Sequence, residues 1–281
     1  MAMFDEVKGS PFFVATGVRG SHATTDARFA RYGGDTTGIM ARSSTGEILV
    51  ADAGTGFPRL APVLNEASGF SLFVSHPHLD HIQGIFYLDT FKQPDKHIAI
   101  YCEEHIRHAI EALCAPPFLP RRLSQFPSPP QWHILRPVDT FETPSFQARV
   151  MPLTHPGGAQ GIALVDKGTR HSLMILTDLE IHRDVPFGEQ PALEAVYAVA
   201  SDLGGIDALI IDAPFAPDAY VEGMGHSDTA TAIAFARHIR ATEIYLSHHA
   251  PASTDEVLDA RRAAIDDKAV HFLSQWTPHP F

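Results

Sequence analysis

The sequence predicts an α/β architecture: two β-sheets with helices outside them, folded as one domain over residues 1–281. Three observations carry this expectation. Short β-like runs separated by turns recur along the chain, with only a few helical stretches between them. Hydrophobic residues make up 44% and charged residues 19% of the chain, which is enough apolar material for a sizeable core. No internal repeat or low-complexity tail breaks the pattern.

Taken in order, residues 12–18, 38–42 and 47–51 read as strands, and the glycine-rich turn Asp52-Ala53-Gly54-Thr55-Gly56 follows. Residues 71–75 and 98–101 are further strands, and 103–114 reads as a helix. The strand list is completed by 146–153, 162–165, 173–176, 208–211 and 243–246. Helices are expected over 227–240, with Ser227 as N-cap, and over 254–266. The one compositional break is a proline-dense stretch at about 115–130, around Phe118, Arg121, Arg122 and Phe126. Proline fixes φ and removes a donor, so this stretch cannot be regular helix or central strand. The sheet pattern resumes after it, so it reads as a lid or a subunit-contact loop rather than a linker. Arg121 and Arg122 are expected in solvent, or at the charged end of a substrate if the loop folds over the cleft. Phe118 and Phe126 either stack on a base or pack the loop.

Composition excludes several classes. No apolar run approaches the ~20 residues needed to cross a bilayer. The start Met1-Ala2-Met3-Phe4-Asp5-Glu6 lacks the basic and apolar regions of a signal peptide, and the two cysteines, Cys102 and Cys114, cannot make a disulfide framework. A cytoplasmic protein with no membrane partner is the expectation. A net charge of −12 argues against a nucleic-acid polymer as partner, which would need clustered Lys and Arg. A small anionic substrate remains compatible, since bound divalent ions offset charge locally.

The run His76-Pro77-His78-Leu79-Asp80-His81 places four metal-ligand side chains within six residues, directly after an apolar strand. Imidazole and carboxylate together suit zinc, manganese or iron. Later ligand types repeat the placement. His155 follows Leu153-Thr154, Asp178 follows Leu176-Thr177, Asp212 follows Ile210-Ile211, and His248 and His249 follow Leu246-Ser247. Strand ends of one sheet lie along one edge, so these residues are expected to converge on one cleft. Taken singly, an Asp after a strand is more often a turn former or helix cap.

The order His76-x-His78-x-Asp80-His81, then His155, Asp178 and His248, resembles that of the metallo-β-lactamase superfamily of hydrolases. The closer likeness is to its phosphodiesterase-like branch, with ribonuclease Z and the phosphoribosyl cyclic phosphodiesterases. Gly17-Val18-Arg19-Gly20-Ser21, Arg31-Tyr32-Gly33-Gly34-Asp35-Thr36-Thr37, the Asp52 turn, His155-Pro156-Gly157-Gly158 and Gly225-His226-Ser227 are also similar to stretches of that branch. The likeness thus runs from about residue 12 to residue 255. Asp35 departs from it, where the branch often has Asn, and touches no expected ligand. The resemblance implies a four-layer αββα sandwich with two divalent metal ions (Zn, Mn or Fe). His76, His78 and His155 would hold one ion, Asp80, His81 and His248 the other, and Asp178 would bridge them. His249 competes for the last ligand position and otherwise becomes a supporting or substrate-facing group. Asp52 either orients a ligand imidazole or simply forms its turn. Related enzymes are often dimers, so a homodimer is compatible.

The activity implied is cleavage of a small cyclic nucleotide or phosphoribosyl-type diester, by in-line attack of a metal-bridging hydroxide. Two ions roughly 3.5–4 Å apart suit such a displacement. Asp80 would orient the nucleophile. His226, just ahead of the helix expected to start at Ser227, would meet a phosphoryl oxygen or protonate the leaving alkoxide, aided by free N–H groups of the helix end. Its plainer reading is a surface histidine beside an N-cap. Asp212 would steady His226 or the metal shell. The alternatives are a lactone, thioester or carboxylic ester hydrolase, then an RNA-processing nuclease, a redox protein or a non-catalytic metal module.

Overall fold

Phe12, Phe13, Val14 and Ala15 show how the layers arise. Phe12 and Val14 pack outward under helices, while Phe13 and Ala15 pack inward against a second sheet. A strand buried on both faces needs a continuous apolar run rather than an alternating one, which is what these residues supply. The computed structural model describes residues 9–281, so the expectation drawn from Met1 to Glu6 lies outside the described residues.

The first sheet is built from β1 (Phe12–Gly17), β2 (Gly38–Arg42), β3 (Ile48–Ala51), β4 (Gly69–Phe73), β5 (His97–Cys102) and β6 (Gln131–Ile134). The second contains β7 (Thr140–Glu142), β8 (Phe146–Leu153), β9 (Ala159–Asp166), β10 (Ser172–Leu176), β11 (Ile206–Asp212), β12 (Ala241–Ser247) and β13 (Val270–Phe272). The last strand, β14 (Pro278–Pro280), returns to pair antiparallel with β1. Strand orders are β14-β1-β2-β3-β4-β5-β6 and β13-β12-β11-β10-β9-β8-β7. The helices are α1 (Ala61–Glu66), α2 (Leu79–Ile82), α3 (Glu104–Leu113), α4 (Pro191–Leu203), α5 (Thr229–His238) and α6 (Asp255–Ala263). Leu64, Ile106 and Ile110 cover the outer face of the first sheet, and Leu193, Val196, Phe235 and Leu258 that of the second. Phe73, Phe146, Ile162, Leu173 and Ile210 fill the space between the sheets. The result is the expected αββα sandwich. Among the described residues no helix is long and apolar enough to cross a membrane.

Direction positions the site. β3, β4, β5 and β6 are mutually parallel, as are β10, β11, β12 and β13. β9 runs antiparallel to both β8 and β10, so β8 and β10 end at the same edge. The candidate ligands therefore come from the facing edges of two sheets, which corrects the single-sheet expectation.

Several elements differ from the sequence reading. The helix expected at 227–240 begins at Thr229, and Asp228 caps it, accepting from Ala230 N (2.9 Å) and Thr231 N (3.1 Å). The Ser227 hydroxyl is drawn away instead, donating to Leu179 O at 2.5 Å and accepting from Ile181 N at 3.1 Å. With Asp228 occupying that terminus, the free N–H groups expected to favour an anion beside His226 are already used. α6 stops at Ala263, with Thr254 as its cap. The sequence reading does not contain β6, β7, β13, β14, α1, α2 or α4. The proline-dense stretch is no lid over the histidine edge. α3 starts beyond the end of β5 and carries the chain back to where the parallel strands begin, opposite the histidine loop. There Leu123 and Phe126 join the outer core, and the Arg121 guanidinium sits 5.6 Å from the centre of the Phe126 ring.

Candidate metal centre

β4 delivers the histidine run. Val74 N still donates to Tyr101 O (3.0 Å), and Ser75 O then accepts from Gln160 N (3.1 Å) of the second sheet, tying the two edges together. One helical turn, α2, follows His78 and swings Asp80 and His81 inward. Ala53 N bonds His81 O (2.6 Å), and Gly84 N bonds Ala53 O (2.8 Å), so the loop is fixed on the Asp52 turn. Asp52, Asp178 and His248 all adopt left-handed backbone, with φ of 61°, 59° and 59°. That conformation is uncommon for residues with a side chain and clusters at functional sites.

The structure brings all seven candidate ligands together. Donor atoms of His76, His78, His155 and Asp178 lie within 4.8 Å of one another, and so do those of Asp80, His81 and His248. Asp178 stands between the groups. Its Oδ2 is 3.5 Å from both His76 Nε2 and His155 Nε2, while Oδ1 is 3.1 Å from His81 Nε2 and 3.2 Å from His248 Nδ1. Asp178, His226 and His248 form a third such group, so the His226 ring borders the same space.

Hydrogen bonds on the far side of three rings fix which nitrogen faces inward. His81 Nδ1 donates to Asp52 Oδ2 at 2.8 Å. Ser75 Oγ gives its single proton to Asp52 Oδ2 (2.8 Å), so it accepts from His76 Nδ1 (3.0 Å). His155 Nδ1 donates to Gly225 O at 2.9 Å. The Nε2 atoms of all three rings therefore face one carboxylate. His76 Nε2, His81 Nε2 and Asp178 Oδ1 are buried with no hydrogen-bond partner. Leaving such atoms unsatisfied costs about 1–3 kcal/mol each, and a cation would complete them all. The donor set thus fits divalent metal. Charge states agree. Burial, then the neighbouring His81, holds His76 below its ordinary value. Asp178 stays ionised: burial opposes this, but His248 and His81 outweigh it and hold the carboxyl well below its usual range. His81 shows a proton acting where a metal would. Burial pushes it down, yet Asp178 and Asp52 together raise it well above an ordinary histidine.

His248 rather than His249 enters the cluster. His249 Nε2 is committed to Leu273 O at 2.9 Å, and burial pushes this ring down to about 3. Of the two other roles expected of His249, supporting or substrate-facing, the packing of its ring between Tyr32 and Phe272 favours the supporting one. Asp52 does orient an imidazole, and also occupies the turn. Asp212 holds His226 Nδ1 at 2.6 Å. Burial lifts the Asp212 carboxyl to about 6, and the hydrogen bond to His226 only partly offsets this. Burial opposes charge on His226, but Asp212 outweighs it and lifts the imidazole to about 9.

Beyond Asp52 and Asp212, sequence reasoning missed the supporting groups. Ser21 N donates to Asp80 Oδ2 at 2.7 Å, and Thr37 Oγ1 lies 3.0 Å from His248 Nδ1. Gly20 is there because a Cβ would collide with the His248 ring. The buried Arg19 braces this loop, reaching Gly33 O (2.7 Å) and Ser253 O (2.6 Å). These residues lie in stretches that had been noted only for their resemblance. The cleft above the cluster, about 360 Å³, is lined by Ser21, His78, Asp80, Pro156, Met224 and His226 among others, with no Lys or Arg among the described residues. No residue of 115–130 lines it.

The beta-lactamase superfamily domain model matches residues 48–249. No curated protein matches the chain significantly by sequence. Similar solved structures include the metallo-β-lactamase fold protein YhfI from Bacillus subtilis, at 17% identity and TM-score 0.73, over 97% of this chain and 100% of that one. A diphosphatase from the PhnP family is 15% identical with TM-score 0.71, over 96% and 98% of the two chains. The short form of human tRNase Z is 18% identical with TM-score 0.66, over 95% and 98%. The chain belongs to the beta-lactamase superfamily and is a metal-dependent hydrolase built on the metallo-β-lactamase fold.

Proposed function

We propose that this protein is a dinuclear metal-dependent phosphodiesterase acting on a small cyclic nucleotide or phosphoribosyl-type diester. His76, His78 and His155 would hold one ion, Asp80, His81 and His248 the other, and Asp178 both. The ions, when bound, lower the pKa of water and offset the negative charge that repels a nucleophile from phosphate. Asp80, fixed by Ser21 N–H, orients the attacking water. His226 donates a proton to the leaving alkoxide. Its Nδ1 proton is held by Asp212, which leaves Nε2–H to face the cleft.

The observation that carries this reading is the His226–Asp212 pair beside the donor cluster. An imidazole lifted to about 9 is protonated at neutral pH, as an acid for a poor leaving group must be. By analogy, the fold neighbours include a diphosphatase and a tRNase Z. The absence of Lys and Arg from the cleft among the described residues, with the net charge of −12, disfavours an RNA backbone and suits a singly charged diester. The same absence leaves a neutral lactone or thioester as the second reading.

The test varies the leaving group. His226→Ala should slow a cyclic or alkyl diester by roughly 10²–10⁴-fold while barely affecting bis(p-nitrophenyl) phosphate, whose phenolate leaves without a proton. Equal loss on both substrates, or loss of bound metal, would count against the acid role.

A further inference from the structure

Glu180 is a buried carboxylate that the proposed reaction does not use. It stands two residues beyond Asp178, and its backbone N–H donates to Thr154 O (2.8 Å), next to His155. Its Oε1 accepts from Gly223 N–H at 2.6 Å and from the Tyr220 hydroxyl at 2.9 Å, and its Oε2 accepts from Gly225 N–H at 2.8 Å. Burial, then the bond to Glu180, raises the Tyr220 phenol above its ordinary value, so it remains a donor. The Arg183 guanidinium lies 4.7 Å from the centre of the Tyr220 ring. One side chain thus gathers three donors from the loop at 220–225.

That loop touches the candidate centre at successive residues. Gly223 and Met224 line the cleft, the Gly225 carbonyl accepts from His155 Nδ1, and His226 follows directly. Gly225 adopts φ +81°, and a Cβ there would collide with the His155 ring, so this backbone is pressed against the imidazole. We propose that Glu180 is a positioning residue: it clamps the 220–225 loop and, through Gly225, sets the tautomer and place of His155 toward the first ion. The proposal rests on reading His155 as a ligand. Glutamine cannot replace Glu180, because its amide offers one acceptor oxygen and turns an NH₂ group against an N–H donor. The carbonyl of Gly225 then loses its anchor and His155 its fixed orientation.

The experiment is chelator competition on the zinc-loaded full chain. Glu180→Gln should release one zinc 10–100-fold more readily, the usual cost of losing a group that orients a ligand, and hold the other within about twofold. A purely structural role would lower Tm and leave the affinity of each ion per folded chain unchanged, which would overturn the clamp. If Glu180→Gln does not fold, Tyr220→Phe decides, since it removes one donor and keeps both glycine bonds. A smaller shift confined to one ion supports the clamp, and unchanged retention of both overturns it. A parent protein that binds no zinc would overturn the reading of the centre and the clamp with it. A parent and variants that all hold two ions equally would remove the clamp alone.

Discussion

His81 and His155 reach the same cluster by opposite means. His81 is fully buried, and its outer nitrogen bonds directly to a carboxylate on the turn after β3. The His155 ring is buried too, with the residue's exposure on its backbone, but its outer nitrogen bonds to a backbone carbonyl on a surface loop that Glu180 holds from behind. The first support belongs to the sheet edge and has no independent freedom. The second depends on a loop whose Val221 and Met224 are exposed. One half of the centre is therefore built into the core, while the other is positioned by a segment that also shapes the cleft.

Breaking the rigid half should have the largest effect. Asp52→Ala strips the acceptor from His81 Nδ1, Ser75 N and Ser75 Oγ together. Removing one partner of a buried charged pair costs about 3–5 kcal/mol, so urea unfolding of the metal-free protein should show a loss of that size. The Glu180 variant should leave global stability much less changed, because its loop lies at the surface. An equal loss of stability in both would erase the distinction between the two halves.

A smaller effect sharpens the comparison on the loop side. Asp212→Asn removes the charge that lifts His226 to about 9, while the burial that lowers it remains. For an acid that must be protonated, rate falls as pH rises through its pKa. The alkaline limb of kcat for an alkyl diester should therefore move to lower pH in the variant. A limb that stays in place would assign it to another group.

Much of the centre was legible because ligand chemistry announces itself by residue type. His76, His78, Asp80 and His81 are dense in sequence, and His155, Asp178 and His248 each follow an apolar strand. The supporting groups carry no such mark: Ser75, Thr37, Glu180 and Gly225 are ordinary residues until register sets them against a ring. The Ser227 and Asp228 pair makes the same point. Both are good caps by type, and the choice was made by the bond from Ser227 to Leu179 in the loop after β10. α4 could have been read, since Pro191 opens it, Gly204 at φ +80° closes it, and Leu193, Val196 and Ala200 share a buried face. Proline content gave the irregularity of 115–130 but not its place, which depends on the direction in which α3 returns the chain.

One measurement tests the proposed two-metal phosphodiesterase most directly. Protein stripped by chelator and reloaded with zinc or manganese would be assayed for bound metal and for hydrolysis of bis(p-nitrophenyl) phosphate in the same samples. Two ions per chain, with turnover that appears on loading and disappears on chelation, is the expected result. Two bound ions with no diester turnover, beside hydrolysis of a lactone or thioester, would contradict it.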